Sequence, residues 1–179
     1  MAASVARDER LRLFLAVRLP EPAVEALAAW QARELRGRIV PRENLHLTLA
    51  FLGYRPADEL PAILGVLERA AVDAAPLRLD VTGYRETRSV GMLTLADEAG
   101  AAAALAERLH GDLEQLGVYR REARRWLPHV TVFRFRERPR LRPKPPTLDW
   151  VSSDAAAFLS RLHPSGARYE VHDSFRLGG

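Results

Sequence analysis

The sequence contains no cysteine. Disulfides, thiolate nucleophiles and cysteine-held zinc or iron–sulfur centres are therefore excluded. It has almost no lysine, Lys144 being the only one among 27 basic residues. No apolar run approaches the roughly 20 residues that span a bilayer. The first apolar run, Leu13–Val17, is too short for the core of a signal peptide. These absences lead us to expect a cytoplasmic protein without a membrane partner. The P-loop, the G-x-S-x-G elbow and the dinucleotide fingerprint are missing as well. So are H-x-H and H-E-x-x-H, which removes the common histidine metal motifs. Neither a metal nor an organic cofactor is expected.

The 179 residues are 47% apolar and 28% charged, which suits one globular unit over 1–179, either one domain or two small lobes sharing a core. The net charge is +4 and the pI about 10.1. Arginines bunch at 120, 121, 124 and 125 and again at 134, 136, 138, 140 and 142. Guanidinium groups bind phosphates in bidentate fashion. The bunching around one short motif favours a polyanionic substrate over a mere bias of composition.

Hydrophobic periodicity predicts strands over Arg12–Val17, Asn44–Phe51, Leu77–Tyr84, Val90–Leu95, His129–Phe135, Ser153–Leu162 and Tyr169–Leu177. Gly53 is expected to end the second of these. Helices are predicted from Pro20–Pro22 to about Leu35, over Ala57–Ala71, and from a cap at Asp97 to about Leu116, stopped by Gly117. Arg138–Pro146, rich in proline and arginine, reads as an exposed loop. Strands outnumber the crossovers that a parallel sheet requires. The fold class is therefore α+β, with antiparallel sheets and helices packed outside.

Two strands carry the chemistry. They read Leu45-His46-Leu47-Thr48-Leu49 and Pro128-His129-Val130-Thr131-Val132. Residues two apart in a strand share a face, about 6.5–7 Å apart. His46 and Thr48 thus point one way and the leucines the other, and His129 and Thr131 repeat the pattern over valines. One H-x-T strand is weak evidence, because most such histidines are structural. Two copies with matched apolar flanks, one in each half of the chain, point to paired histidine chemistry. His110, His163 and His172 lack such a setting and read as structural or solvated. Trp30 and Trp150 read as core aromatics.

These segments, with Arg12-Leu13-Phe14-Leu15-Ala16-Val17, the longer run Asn44–Gly53 and Ser160–Tyr169, resemble the two-histidine phosphoesterase superfamily, in its branch of RNA 2',3'-cyclic phosphodiesterases and 2'-5' RNA ligases. The resemblance implies a bilobal fold: two antiparallel sheets around a central cleft, helices outside, one H-x-T strand per lobe facing the cleft. It implies RNA ends or nucleoside 2',3'-cyclic phosphates as substrates, and a monomer is expected. It also implies hydrolysis to a 2'-phosphate, with 2'-5' ligation as a minor reaction of the same site.

Histidine can act as acid or base near neutral pH, and threonine hydroxyls can hold phosphate oxygens. His46, Thr48, His129 and Thr131 are the expected catalytic residues, with His46 as acid for the leaving 3'-oxygen and His129 as base for water. Arg134, Phe133 and Phe14 are the candidates for substrate binding, Arg134 as a phosphate clamp and the two phenylalanines, together with Trp126, as stacking partners for a base. Strict alternation places Phe133 with the histidine and Arg134 on the opposite face, so the clamp requires a bulge or twist near Phe133. Two other functions fit less of this pattern: an RNA-binding module that uses the arginines without catalysis, and an enzyme of the same superfamily acting on 2'-5' oligonucleotides or another cyclic phosphate.

Overall fold

The computed structural model describes residues 9–178. Among them are nine strands and three α-helices, in the order β1 (Arg10–Arg18), α1 (Glu21–Glu34), β2 (Arg38–Ile39), β3 (His46–Pro56), α2 (Leu60–Val72), β4 (Leu77–Glu86), β5 (Val90–Ala96), α3 (Ala101–Gln115), β6 (His129–Arg134), β7 (Asp149–Ser152), β8 (Asp154–Arg161) and β9 (Arg168–Arg176).

Every strand pairing is antiparallel, in the order β7-β4-β5-β6-β3-β1-β8-β9, with β2 added beside β6. The α+β class holds. The two sheets expected are halves of one curled sheet, joined where β3 meets β6 through a single register pair, Leu47 with Val130. One half is β1, β3, β8 and β9, and the other is β4–β7 with β2. The chain thus returns at its end to the lobe in which it began.

The helices cover the convex face. Each repeats its buried positions at helical spacing: Ala23, Val24, Leu27, Trp30 and Gln31 on α1, Leu60, Ile63, Val66, Leu67, Ala70 and Ala71 on α2, and Ala102, Leu105, Ala106, Leu109, His110 and Leu113 on α3. They pack on Leu13, Leu15 and Val17 of β1, Leu47 and Leu49 of β3, and Val130 and Val132 of β6. Gln31 is buried because its amide donates to the carbonyls of Val40 (3.1 Å) and Val132 (2.8 Å), which fastens α1 to β6. His110 is structural: buried, 2.8 Å from the Leu49 carbonyl through Nε2 and stacked on Tyr119. Trp30 and Trp150 are core residues, as expected.

Three expectations about elements change. Gly53 does not end β3, which runs on to Pro56. Its φ of 69° is absorbed where the β1–β3 register slips, between Leu13 and Phe14. Residues 57–59 form a 3-10 turn ahead of α2. The strands β2 and β7 were not predicted, since two and four residues are too few to display a period.

Candidate active site

The pairing of Leu47 with Val130 sets the geometry of the site. These are the middle residues of the two H-x-T motifs, and both are fully buried on the convex side. Antiparallel register then sets His46 against Thr131 and Thr48 against His129, all four on the concave face. The two histidines are diagonal neighbours across β3 and β6. In a regular ladder such positions stand about 7–8 Å apart, a gap a phosphate can fill. The structure thus brings together the four residues that the sequence singled out.

The backbone orients both rings in the same way. His46 Nδ1 lies 2.7 Å from the Asn44 carbonyl and His129 Nδ1 lies 2.8 Å from the Leu127 carbonyl. A carbonyl only accepts, so each Nδ1 carries the proton. Each Nε2 is then the nitrogen with a free lone pair in the neutral ring. Thr48 Oγ1 stands 2.8 Å from His46 Nε2 and, with that ring neutral, donates to it. Trp126 Nε1 donates to the Thr48 carbonyl at 3.1 Å, pinning the strand at this point.

Surroundings distinguish the two histidines. His46 lies against an aromatic wall on β1, β8 and β9: ring centroids of Phe14, Tyr169 and Phe158 are 4.8, 5.4 and 5.9 Å away. Burial pushes the His46 pKa down to about 4, against the Asn44 carbonyl, which favours the charged ring. The positive charges of His129 and Arg134 lower it further. His46 is therefore neutral at pH 7. His129 has Thr94 of β5 as its register partner on the other side.

That influence also locates Arg134. Its guanidinium is near enough to bear on His46, although strict alternation would have turned it away. The β5–β6 register explains this: Met92 pairs with Thr131 but Gly91 pairs with Phe133, so Val132 is an extra residue on β6. After this bulge Phe133 turns into the core and Arg134 is exposed. Gly37 makes room for the turned Phe133 ring, and Gly91, opposite Phe133 on β5, makes room for Tyr84. A Cβ at Gly37 would stand 3.3 Å from the Phe133 ring, and one at Gly91 would collide with Tyr84.

Two candidates are corrected by this arrangement. Phe133, 5% exposed and packed on Phe135, presents no face to a base. Phe14, 3% exposed, stacks on Phe158 at 4.9 Å with an interplanar angle of 1° and backs His46. It supports the imidazole and has no free face for a nucleobase. Sequence reasoning also missed Asn44. Its side-chain amide donates 2.8 Å to the Ala167 carbonyl in the β8–β9 turn while its own carbonyl holds His46. Its place two residues before the histidine was the available signal.

Residues 19–163 match the 2'-5' RNA ligase superfamily. The chain belongs to this family. It is 38% identical over 183 aligned positions to an RNA 2',3'-cyclic phosphodiesterase of Thermus thermophilus, covering 94% of this chain and 91% of that one. An Escherichia coli protein of the same name is 31% identical, over 80% of this chain and 82% of its own. A crystal structure from Thermus thermophilus superimposes with a TM-score of 0.82 at 35% identity, covering 94% of this chain and 99% of the other. Escherichia coli LigT complexed with 3'-AMP matches in fold, with a TM-score of 0.84 at 24% identity and coverage of 96% and 100%.

Among the described residues, no group of three or more His, Cys, Asp or Glu is placed to hold a metal ion. No described helix is long and apolar enough to cross a membrane. None of the other histidines shows a contact with His46 or His129 among the hydrogen bonds and ring contacts of the described residues. His163 sits exposed in the β8–β9 turn, 2.7 Å from Ser165 Oγ, and His172 is exposed on β9.

Proposed function

We propose that this protein hydrolyses RNA 2',3'-cyclic phosphate ends to 2'-phosphates by acid–base catalysis between His46 and His129. The observation that supports the reading is the register at Leu47 and Val130, which sets two Nδ1-protonated histidines diagonally on one concave face with Arg134 beside them. Relatives 38% and 31% identical carry the name of that activity.

In this mechanism water attacks phosphorus on the side opposite the 3'-oxygen. His129 Nε2 takes the proton of the water as its oxygen bonds to phosphorus. The bond from phosphorus to the 3'-oxygen breaks, and His46 Nε2–H protonates that oxygen. The product keeps a 2'-phosphate and gains a free 3'-hydroxyl. Thr131 and Arg134 hold the non-bridging oxygens. Thr48 releases His46 Nε2 and turns its hydroxyl to the phosphate. His46 is neutral in the free protein, so it takes up its catalytic proton when the phosphodiester brings a negative charge that offsets Arg134. With an RNA 5'-hydroxyl in place of water, the same step forms a 2'-5' linkage: the 5'-oxygen bonds to phosphorus, the bond to the 3'-oxygen breaks, and the joined strand carries a free 3'-hydroxyl at the junction.

The test is incubation with nucleoside 2',3'-cyclic monophosphates, resolving 2'- from 3'-phosphate by phosphorus NMR. We expect the 2'-phosphate alone, and its formation should be lost in His129→Ala. Binding of RNA without turnover would establish the non-catalytic alternative. Turnover confined to linear 2'-5' oligonucleotides would establish the other substrate.

A further inference from the structure

Past Thr48, the concave face of β3 continues into two exposed aromatic rings. In the β1–β3 register Thr48 pairs with Ala16, Phe51 with Phe14, and Tyr54 with Arg12. The two slips in that register carry Phe51 and Tyr54 onto the same face as His46 and Thr48. Leu47, Leu49, Ala50 and Leu52 fill the core behind them. Phe51 is 48% exposed and Tyr54 52%, on a strand whose other side is buried. Along β3 the row His46, Thr48, Phe51, Tyr54 extends about 20 Å from the site.

Arginine accompanies the row. The Arg12 guanidinium lies over the Phe51 ring, 4.8 Å from its centroid, and donates to Ser160 Oγ at 2.5 Å. It is thereby fixed in place, between β3 and β8. Arg10 donates to the Tyr54 carbonyl at 2.9 Å. Exposed rings combined with a braced guanidinium, in line with a phosphate site, are the chemistry that single-stranded nucleic acid requires. Every base has a π-face to stack, and a guanidinium held over a ring keeps donors at its edge for a backbone phosphate.

We propose that Phe51, Tyr54 and Arg12 form a track for the single-stranded RNA that precedes the cyclic phosphate, so that the chain prefers oligonucleotide ends to mononucleotides. The proposal rests on the reading of His46 and His129 as the site that takes the cyclic end. Stacking does not read base identity, so the preference is for length rather than sequence. Continuity with the phosphate site and the arginines at both ends of the row favour RNA over a protein partner.

The experiment compares kcat/KM for adenosine 2',3'-cyclic monophosphate and for a six-nucleotide RNA ending in a 2',3'-cyclic phosphate. The enzymes are the wild type, Phe51→Ala, Phe51→Tyr, Tyr54→Ala and Arg12→Gln. Wild type should prefer the oligonucleotide. Phe51→Ala and Tyr54→Ala should each lower kcat/KM for it by roughly tenfold, through KM, and leave the mononucleotide within about twofold. Phe51→Tyr should retain the preference. Arg12→Gln should reduce the salt dependence of the oligonucleotide reaction by about one ion. Equal losses on both substrates, or no loss on the oligonucleotide, would overturn the track while leaving the activity itself established. Failure of wild type on both substrates would instead overturn the catalytic reading.

Discussion

Removing the His46 imidazole should change how stability depends on pH. Burial against Phe14, Phe158 and Tyr169 pushes its pKa from 6.5 to about 4, with His129 and Arg134 adding to the depression. Between these two values the unfolded chain binds a proton at this position and the folded protein does not. Stability therefore falls as pH falls through that window, and below about pH 4 no further loss comes from this group. At about 1.36 kcal/mol per pKa unit, His46 costs about 2 kcal/mol by pH 5 and about 3 kcal/mol by pH 4, relative to pH 7.5. In His46→Asn this loss disappears. The assay is urea unfolding of wild type and His46→Asn at pH 7.5, 6.5, 5.5 and 4.5. Carboxylates titrate in both proteins and cancel in the difference. We expect the stability of wild type minus variant to fall by about 2–3 kcal/mol across this range. A difference constant within about 0.5 kcal/mol would refute the buried neutral imidazole, and with it the requirement for proton uptake on binding.

Other outcomes follow from the same geometry. His46→Ala and His129→Ala should each remove about 10²–10⁴ of turnover, and the double variant should lose no more than the worse single one, because the two act as a unit. Arg134→Lys should lower kcat/KM at least tenfold, about 1.4 kcal/mol, as a point charge cannot replace a bidentate fork. Arg134→Gln should move the NMR titration of His46 upward, since a positive charge that lowers its pKa is gone. Activity should survive EDTA; a loss restored by one divalent ion would make the histidines ligands instead.

The four residues of the paired motifs were legible because a period of two is a local property. Leu47 and Val130 had to be buried, so the histidines and threonines had to face the other way. The bulge at Val132 was not legible, although Arg134 required one. It shows only in the register against β5, where Gly91 pairs with Phe133, and in the room at Gly37 for the Phe133 ring, both remote in sequence. Gly53 misled for the complementary reason: a positive φ ends a strand in general, but here a slip against β1 absorbs it. Phe14 reads as a partner for a base because nothing local in the sequence reports its burial, 3% exposed in the structure. Its neighbour Phe158 lies far along the chain, on a strand that returns to pair with β1.

The return of β8 and β9 to the first lobe also gives the two matching motifs different surroundings, which is what the proposed division into acid and base requires. The motifs themselves are nearly equivalent: each histidine gives its Nδ1 proton to the carbonyl two residues earlier, and each follows the same alternation. If the lobes were equivalent throughout, nothing would decide which ring holds a proton. The β8–β9 hairpin breaks the equivalence. It sets Phe158 and Tyr169 against His46, and through Ala167 it holds Asn44, whose carbonyl fixes the His46 ring. An imidazole enclosed in this way stays neutral until an anion arrives, and in the proposed mechanism its charged form is then a strong acid for the leaving oxygen. The proposed division of labour thus rests on what packs against His46, and Asn44→Ala tests it. The substitution frees the β8–β9 turn but keeps the carbonyl that holds the His46 ring. With that wall loosened, the His46 titration should move up toward 6.5, and kcat should fall more than KM rises. A variant whose His46 still titrates near pH 4 and whose kcat is unchanged would show that the hairpin does not set the proton.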